Sequence, residues 1–236
     1  THHRCGLRGS PQADGVVMTS PSSARIHAQQ LSLMLVTDSL ACGERSLPEV
    51  VAAAVAGGVT CVQLREKLAS GYVFLDRARA LRQLLKPLGI PLIINDLIDI
   101  ALAAQADGVH LGQTDMRVAD ARRILPPTML LGWSVETPAQ VEAANDLDVD
   151  YLGVSPVFAT PTKTDTAPPW GLEGLSRARR LTVKPLVAIG GISTDNIGAL
   201  RSAGADGCAV VRAICSAPDP QIAATKLRRA FDQGVI

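Results

Sequence analysis

From Leu31 onward the chain alternates short apolar runs with longer stretches in which apolar residues recur at helical spacing. Eight of the short runs have the length and branched content of strands, at 31–38, 59–65, 90–96, 108–112, 129–134, 151–157, 185–190 and 207–211. Several are apolar at successive positions, as parallel strands buried on both faces require. Helical stretches fill the intervals at 48–56, 71–86, 98–106, 118–125, 138–147, 175–181, 194–203 and 220–233. Pro48 and Pro138 fall in first turns, where a missing N–H leaves no bond unmade. Eight strand–helix units predict a single α/β domain, a closed (β/α)8 TIM barrel over residues 30–236. A doubly wound open sheet is the alternative, but residues 37–43 lack the Gly-x-Gly-x-x-Gly turn that its first strand would feed. Ala56-Gly57-Gly58-Val59, Ala106-Asp107-Gly108-Val109 and Gly204-Ala205-Asp206-Gly207 read as one repeated helix-to-strand turn with a structural role.

Residues 1–29 show no sustained periodicity and no apolar signal core, and read as a flexible, disordered leader. Composition narrows the partners. A net charge of +1 provides no field for nucleic acid or anionic lipid, and 3% aromatic residues provide no base-stacking surface. No apolar run reaches the roughly 20 residues that a membrane helix needs. The five cysteines, at 5, 42, 61, 208 and 215, have no metal-ligand spacing and read as free thiols of a cytoplasmic protein.

In a barrel all carboxyl strand ends share one mouth, so the chemistry each unit delivers there is additive. The second strand ends in Gln63, Arg65 and Lys67, a carboxamide and two cations suited to a phosphate or pyrophosphate. Their bland reading is a solvated charge run around Glu66. The third ends in Asn95-Asp96 and the fourth runs from His110 to Asp115. Each carboxylate could cap the helix that follows it. Together, beside Arg65 and Lys67, Asp96 and Asp115 suit Mg²⁺ shared with phosphate oxygens. His110 reads as a satisfied interior histidine. Ser134, with no Gly-x-Ser-x-Gly elbow or nearby base, reads as a hydrogen-bonding group rather than a nucleophile. Residues 160–170, with three prolines, hydroxyls and Lys163, read as an active-site lid. Gly190-Gly191 and Val211-Arg212, after the seventh and eighth strands, fall where barrels commonly seat a phosphate.

These motifs resemble the thiamine-phosphate synthase family. The match runs through residues 35–38, Val62 to Lys67, Ile94-Asn95-Asp96, Asp107 to Asp115, Pro156 to Lys163, Ala188 to Ile192 and Gly204 to Asp206-Gly207. The resemblance implies transfer of a 4-amino-2-methyl-5-pyrimidinylmethyl group from its diphosphate to 4-methyl-5-(2-phosphoethyl)thiazole, yielding thiamine phosphate and pyrophosphate by a dissociative route. It implies Arg65, Lys67, Ser134 and Lys163 as catalytic residues. Gln63, Leu64, Glu66 and Asn95 join them in substrate binding, with Thr160, Pro161, Thr162, Gly191, Val211 and Arg212 toward the thiazole phosphate. Asp96 and Asp115 would hold Mg²⁺. The implied partners are two small phosphorylated molecules, with a homo-oligomer left open. The chain departs from the family pattern at Arg212, Glu136 and Ala159, where serine, histidine and proline are frequent. A thiazole tautomerase on the same scaffold, or a barrel that binds a phosphorylated ligand without turnover, remain as alternatives.

Overall fold

The computed structural model describes residues 25–160 and 168–234. Eight parallel strands close into a barrel in chain order: β1 (Leu33–Val36), β2 (Cys61–Leu64), β3 (Leu92–Asn95), β4 (Gly108–Leu111), β5 (Leu130–Val135), β6 (Tyr151–Val154), β7 (Leu186–Ile189) and β8 (Gly207–Val210). The described helices are α1 (Leu47–Ala56), α2 (Gly71–Leu85), α3 (Ile98–Ala103), α4 (Val118–Ile124), α5 (Pro138–Ala143), α6 (Gly171–Leu181), α7 (Gly198–Ser202), α8 (Arg212–Cys215) and α9 (Pro220–Gln233). Each predicted strand is present; seven are shortened at one or both ends, and β5 runs one residue past its predicted end. Capping boxes of Ser46 with Glu49 and Thr137 with Gln140 start α1 and α5 just ahead of their prolines. The turn at Thr194 is not yet helix; α7 begins only at Gly198.

Strand alternation divides the core in two. Leu33, Leu35, Val62, Leu64, Leu92, Ile94, Val109 and Leu131 face outward into the layer beneath the helices. Met34, Val36, Cys61, Ile93, Leu130, Tyr151, Val187 and Ala209 fill the barrel itself. Full burial of each Leu, Ile, Val or Met side chain among them stabilises the fold by roughly 1.5–3 kcal/mol.

The repeated turn has a physical explanation. Asp107 accepts the Leu92 N–H at 2.9 Å and pairs with Arg82 of α2. Asp150 does the same for Leu131 at 2.7 Å and Arg122 of α4, and Asp206 for Leu186 at 2.8 Å and Arg179 of α6. Thr60, in the equivalent place before β2, accepts the Leu33 N–H at 3.0 Å. Each even strand therefore opens with a side chain that satisfies its predecessor's backbone and, in three cases, ties down a helix.

The amino-terminal mouth is closed by residues that the sequence pattern assigned to the leader and by the first turn after it. Ile26 and Leu31 are buried in the barrel core, and Arg25 pairs with Asp148 and Asp150 at 2.8 and 3.0 Å. The ordered barrel thus includes residues 25–29; residues 1–24 lie outside the described residues. The apolar pattern there is too short to read, because Ile26 and Leu31 fit a plug rather than a periodic element. Among the described residues, Cys42, Cys61, Cys208 and Cys215 are free and buried, and no helix is long and apolar enough to cross a membrane.

Candidate active site

The carboxyl mouth opens on a cavity of about 500 Å³ to which loops after most of the strands contribute. On β2, alternation turns Gln63 inward and Leu64 outward into the helix layer. Past the strand, the Arg65 N–H donates to the buried Thr37 hydroxyl at 3.0 Å, which fixes the chain at the rim. The Arg65 and Lys67 side chains then line the cavity. Glu66 turns away. Its carboxylate accepts from the Ser39 hydroxyl at 2.5 Å and pairs with Arg77 of α2 at 2.6 Å, only 6% exposed. The expectation that Leu64 and Glu66 face a ligand is therefore corrected for both side chains: one packs under helices, the other braces the loop that carries the two cations.

Asn95 ends β3 on the cavity wall, and Asp96 follows in the left-handed region at φ 65°. Its N–H donates to the His110 carbonyl at 2.8 Å, which stitches this unusual backbone to β4. Asp96 does not cap α3, whose N-cap is Leu97. Nor does Asp115 cap α4, whose N-cap is Arg117. Instead an Asp115 oxygen accepts the Gly112 N–H at 2.6 Å, folding the 112–115 turn inward. The two carboxyl groups meet there. Burial, then the hydrogen bond and charge of Asp115, push Asp96 up to about 6, against the pull of Arg65 and Lys67. Among the described residues no group of three or more His, Cys, Asp or Glu side chains is placed to hold a metal. This carboxylate pair is the acidic focus of the cavity.

Below the rim, His110 stands between two hydroxyls. Its Nδ1 lies 2.9 Å from the Tyr151 hydroxyl and its Nε2 2.8 Å from the Ser134 Oγ. Burial lowers the His110 pKa to about 4, so the ring is neutral at neutral pH. Ser134 consequently does have a nitrogen base beside it, a correction to the sequence reading. Residue spacing concealed the contact, because β4 and β5 pair His110 with Gly132, and Ser134 reaches the ring from two positions on. The available signal was glycine inside strands: a Cβ on Gly132 would stand 2.5 Å from His110 Nδ1 and closer still to Tyr151. Gln113 also went unpredicted; it lines the cavity and donates to the Ser134 carbonyl.

Across the mouth, Gly190 and Gly191 turn at φ 104° and 64° against the loop after β6. A Cβ on Gly191 would stand 2.5 Å from the Ala159 carbonyl oxygen, so only glycine fits. Thr160, Gly191, Val211 and Arg212 line this side, with Arg212 opening α8 directly after the last strand. The sequence reading gave no helix there. Of the other expected site residues, Pro161, Thr162 and Lys163 lie outside the described residues.

A closed eight-stranded barrel with cations, a carboxylate pair and a glycine turn at its carboxyl mouth belongs to the class of TIM-barrel enzymes that act on phosphorylated small molecules. Comparison with known proteins narrows this. The family model for thiamine monophosphate synthase matches residues 33–214. The thiamine-phosphate synthase of Albidiferax ferrireducens is 61% identical over 207 residues, covering 88% of this chain and 94% of its own. That of Vibrio parahaemolyticus is 49% identical, covering 85% and 98%. Among solved structures, thiamine phosphate pyrophosphorylase from Pyrococcus furiosus superposes with a TM-score of 0.81 at 34% identity, over 87% of this chain and 98% of that one. The chain belongs to the thiamine monophosphate synthase family, transferases of thiamine biosynthesis.

Proposed function

We infer that this protein joins the pyrimidine and thiazole halves of thiamine phosphate. It transfers 4-amino-2-methyl-5-pyrimidinylmethyl from its diphosphate to 4-methyl-5-(2-phosphoethyl)thiazole, with release of pyrophosphate, in the cytoplasm. The observation that supports this best is the meeting of Asp96 and Asp115 at the rim where Arg65 and Lys67 enter the same cavity. Two half-buried carboxyls in contact resist ionising together, and a divalent cation relieves that cost. The donor set fits Mg²⁺, because two carboxylates leave further positions for diphosphate oxygens and water. When bound, Mg²⁺ supplies charge neutralisation to a departing pyrophosphate.

The chain's own residues have distinct tasks. Arg65 and Lys67 stabilise charge that develops on the leaving group, an interaction stronger in the transition state than before it. Lys163 is assigned to the same group on the family resemblance. Gln63, Asn95 and Ser134 orient the pyrimidine. Gly191, Val211 and Arg212, with Thr160 and Thr162, seat the thiazole phosphate so that the ring nitrogen stands ready to attack the carbon that pyrophosphate leaves. Arg212 replaces a neutral hydroxyl with a cation and is expected to tighten that phosphate. No protein nucleophile is required.

Incubation with both substrates and Mg²⁺ is expected to yield thiamine phosphate and pyrophosphate in equal amounts. Omission of either substrate should prevent thiamine phosphate formation. Interconversion of thiazole isomers without a diphosphate would favour a tautomerase, and tight binding without turnover would favour a ligand-binding barrel.

A further inference from the structure

In the closed barrel β1 stands between β2, whose end carries Arg65 and Lys67, and β8, whose end carries Arg212. The loop from β1 to α1, residues 37–46, therefore lies between the two anion sites of the mouth. Among the described residues lining the cavity, none comes from it. It is nonetheless firmly folded on itself. The Asp38 carboxylate accepts the Leu40 and Ala41 N–H groups at 3.0 and 3.1 Å, and the Cys42 thiol donates to the Asp38 carbonyl at 3.3 Å. Gly43 then turns the chain at φ 65°.

Each end of this loop is fastened to a neighbour. Toward β2, the Ser39 hydroxyl donates to Glu66 at 2.5 Å and accepts from Arg77 at 3.1 Å, and Arg77 also donates to Glu66 at 2.6 Å. The three close a ring whose directions are fixed, because a guanidinium only donates and a carboxylate only accepts. Glu66 stands between Arg65 and Lys67; with its side chain anchored outward, the two cations line the cavity. Toward β8, Arg45 donates to the Ala217 carbonyl at 2.7 Å, the Cys215 carbonyl at 2.9 Å and the Cys42 carbonyl of its own loop at 3.3 Å. Arg212 opens α8 and Cys215 ends it, so these bonds hold that short helix by its last turn.

We propose that the β1–α1 loop is a common brace for the two anion sites, with Ser39 and Arg45 as positioning residues, the first for Arg65 and Lys67 and the second for Arg212. What the two sites hold rests on the function inferred above. The three cations stand on backbone beyond the strand ends. A cation whose backbone wanders must be ordered anew at each encounter, whereas a braced one is placed beforehand. Stability alone does not call for charge here, since desolvation largely offsets an ion pair and apolar packing would hold a loop as well. The two ends of the brace have separate signatures. The Ser39 ring acts on cations that meet charge developing on the departing pyrophosphate, an interaction read in kcat. The Arg45 clamp acts on a site for a phosphate that does not react, an interaction equal in ground and transition states and read in KM.

Steady-state kinetics of the full-length protein, with each substrate varied in turn, test the brace. Ser39→Ala is expected to lower kcat about tenfold, the order of one charge-assisted hydrogen bond, with the KM for the thiazole phosphate within about twofold of the parent value. Arg45→Met is expected to raise that KM about tenfold, with kcat and the KM for the diphosphate within about twofold. Ser39→Thr and Arg45→Lys, which keep a hydroxyl and a cation, should recover most of each loss. Lower urea midpoints with both substrates' parameters at parent values would overturn the brace, as would two variants that disturb both substrates alike. Should the parent protein release no pyrophosphate, the proposed function fails. The brace is then decided by titration with inorganic pyrophosphate and Mg²⁺, in which Ser39→Ala should weaken binding about tenfold and Arg45→Met by less than about twofold. Unchanged binding by Ser39→Ala, or none by the parent, would overturn it.

Discussion

Asp96 combines two demands in one residue. Its φ of 65° is a conformation that branched side chains strongly resist and asparagine tolerates, and its carboxyl meets Asp115. Asp96→Asn is expected to keep the fold and reduce turnover by about 100-fold or more, the scale of losing one charge-stabilising group. Asp96→Val should also lower stability by about 1–3 kcal/mol through backbone strain; equal denaturation midpoints for the two variants would contradict this. His110 makes a second prediction. Its pKa falls from the usual 6.5 to about 4 on folding, with burial as the main cause. The unfolded chain therefore binds the extra proton between those values, and stability declines as pH falls from about 6.5 to about 4. The loss is on the order of 3 kcal/mol for this group. Urea unfolding across that range should show a shallower decline in His110→Asn than in the parent chain.

At the scale of elements, close approach of β4, β5 and β6 shapes the cavity floor. Gly132 faces Tyr151 across the β5–β6 register and His110 across β4–β5. Gly132→Ala would force a methyl into both rings. It is expected to cost about 1–3 kcal/mol of stability and about tenfold in kcat/KM by displacing the His110 ring that contacts Ser134; an unchanged rate would argue that the ring positions do not matter. The barrel was legible in the sequence because eight doubly apolar runs leave few alternatives. So were Gln63, Arg65 and Lys67, whose spacing of two puts them on one side of an extended segment. The same period should have excluded Leu64 and Glu66, and their inclusion came from the family resemblance. Contacts between strands distant in sequence, such as His110 with Ser134 and Tyr151, depend on register, which no local pattern reveals.

Across the whole molecule the two mouths are built for different work. The amino-terminal mouth is a stability device: Ile26 and Leu31 plug it, and Asp107, Asp150 and Asp206 each fasten a strand to a helix. Asp150→Ala would leave the Leu131 N–H without its acceptor and remove one of the two carboxylates that hold Arg122 and Arg25, Asp148 keeping the other. The expected cost is about 1–3 kcal/mol in unfolding free energy, with kcat within about twofold of the parent value. A large loss of rate at full stability would mean that the two ends are coupled. The carboxyl mouth instead gathers charge that a stability argument alone would disperse. Arg65, Lys67, Asp96 and Asp115 share one cavity with Gly191 and Arg212. The most direct test is pyrophosphate release from both substrates as a function of Mg²⁺, measured for the parent chain and for Asp115→Asn. A saturable Mg²⁺ requirement is expected, with activity of the variant lost or recovered only at far higher Mg²⁺. Parent-like release by Asp115→Asn at low Mg²⁺, or release that does not depend on a divalent cation, would contradict the account.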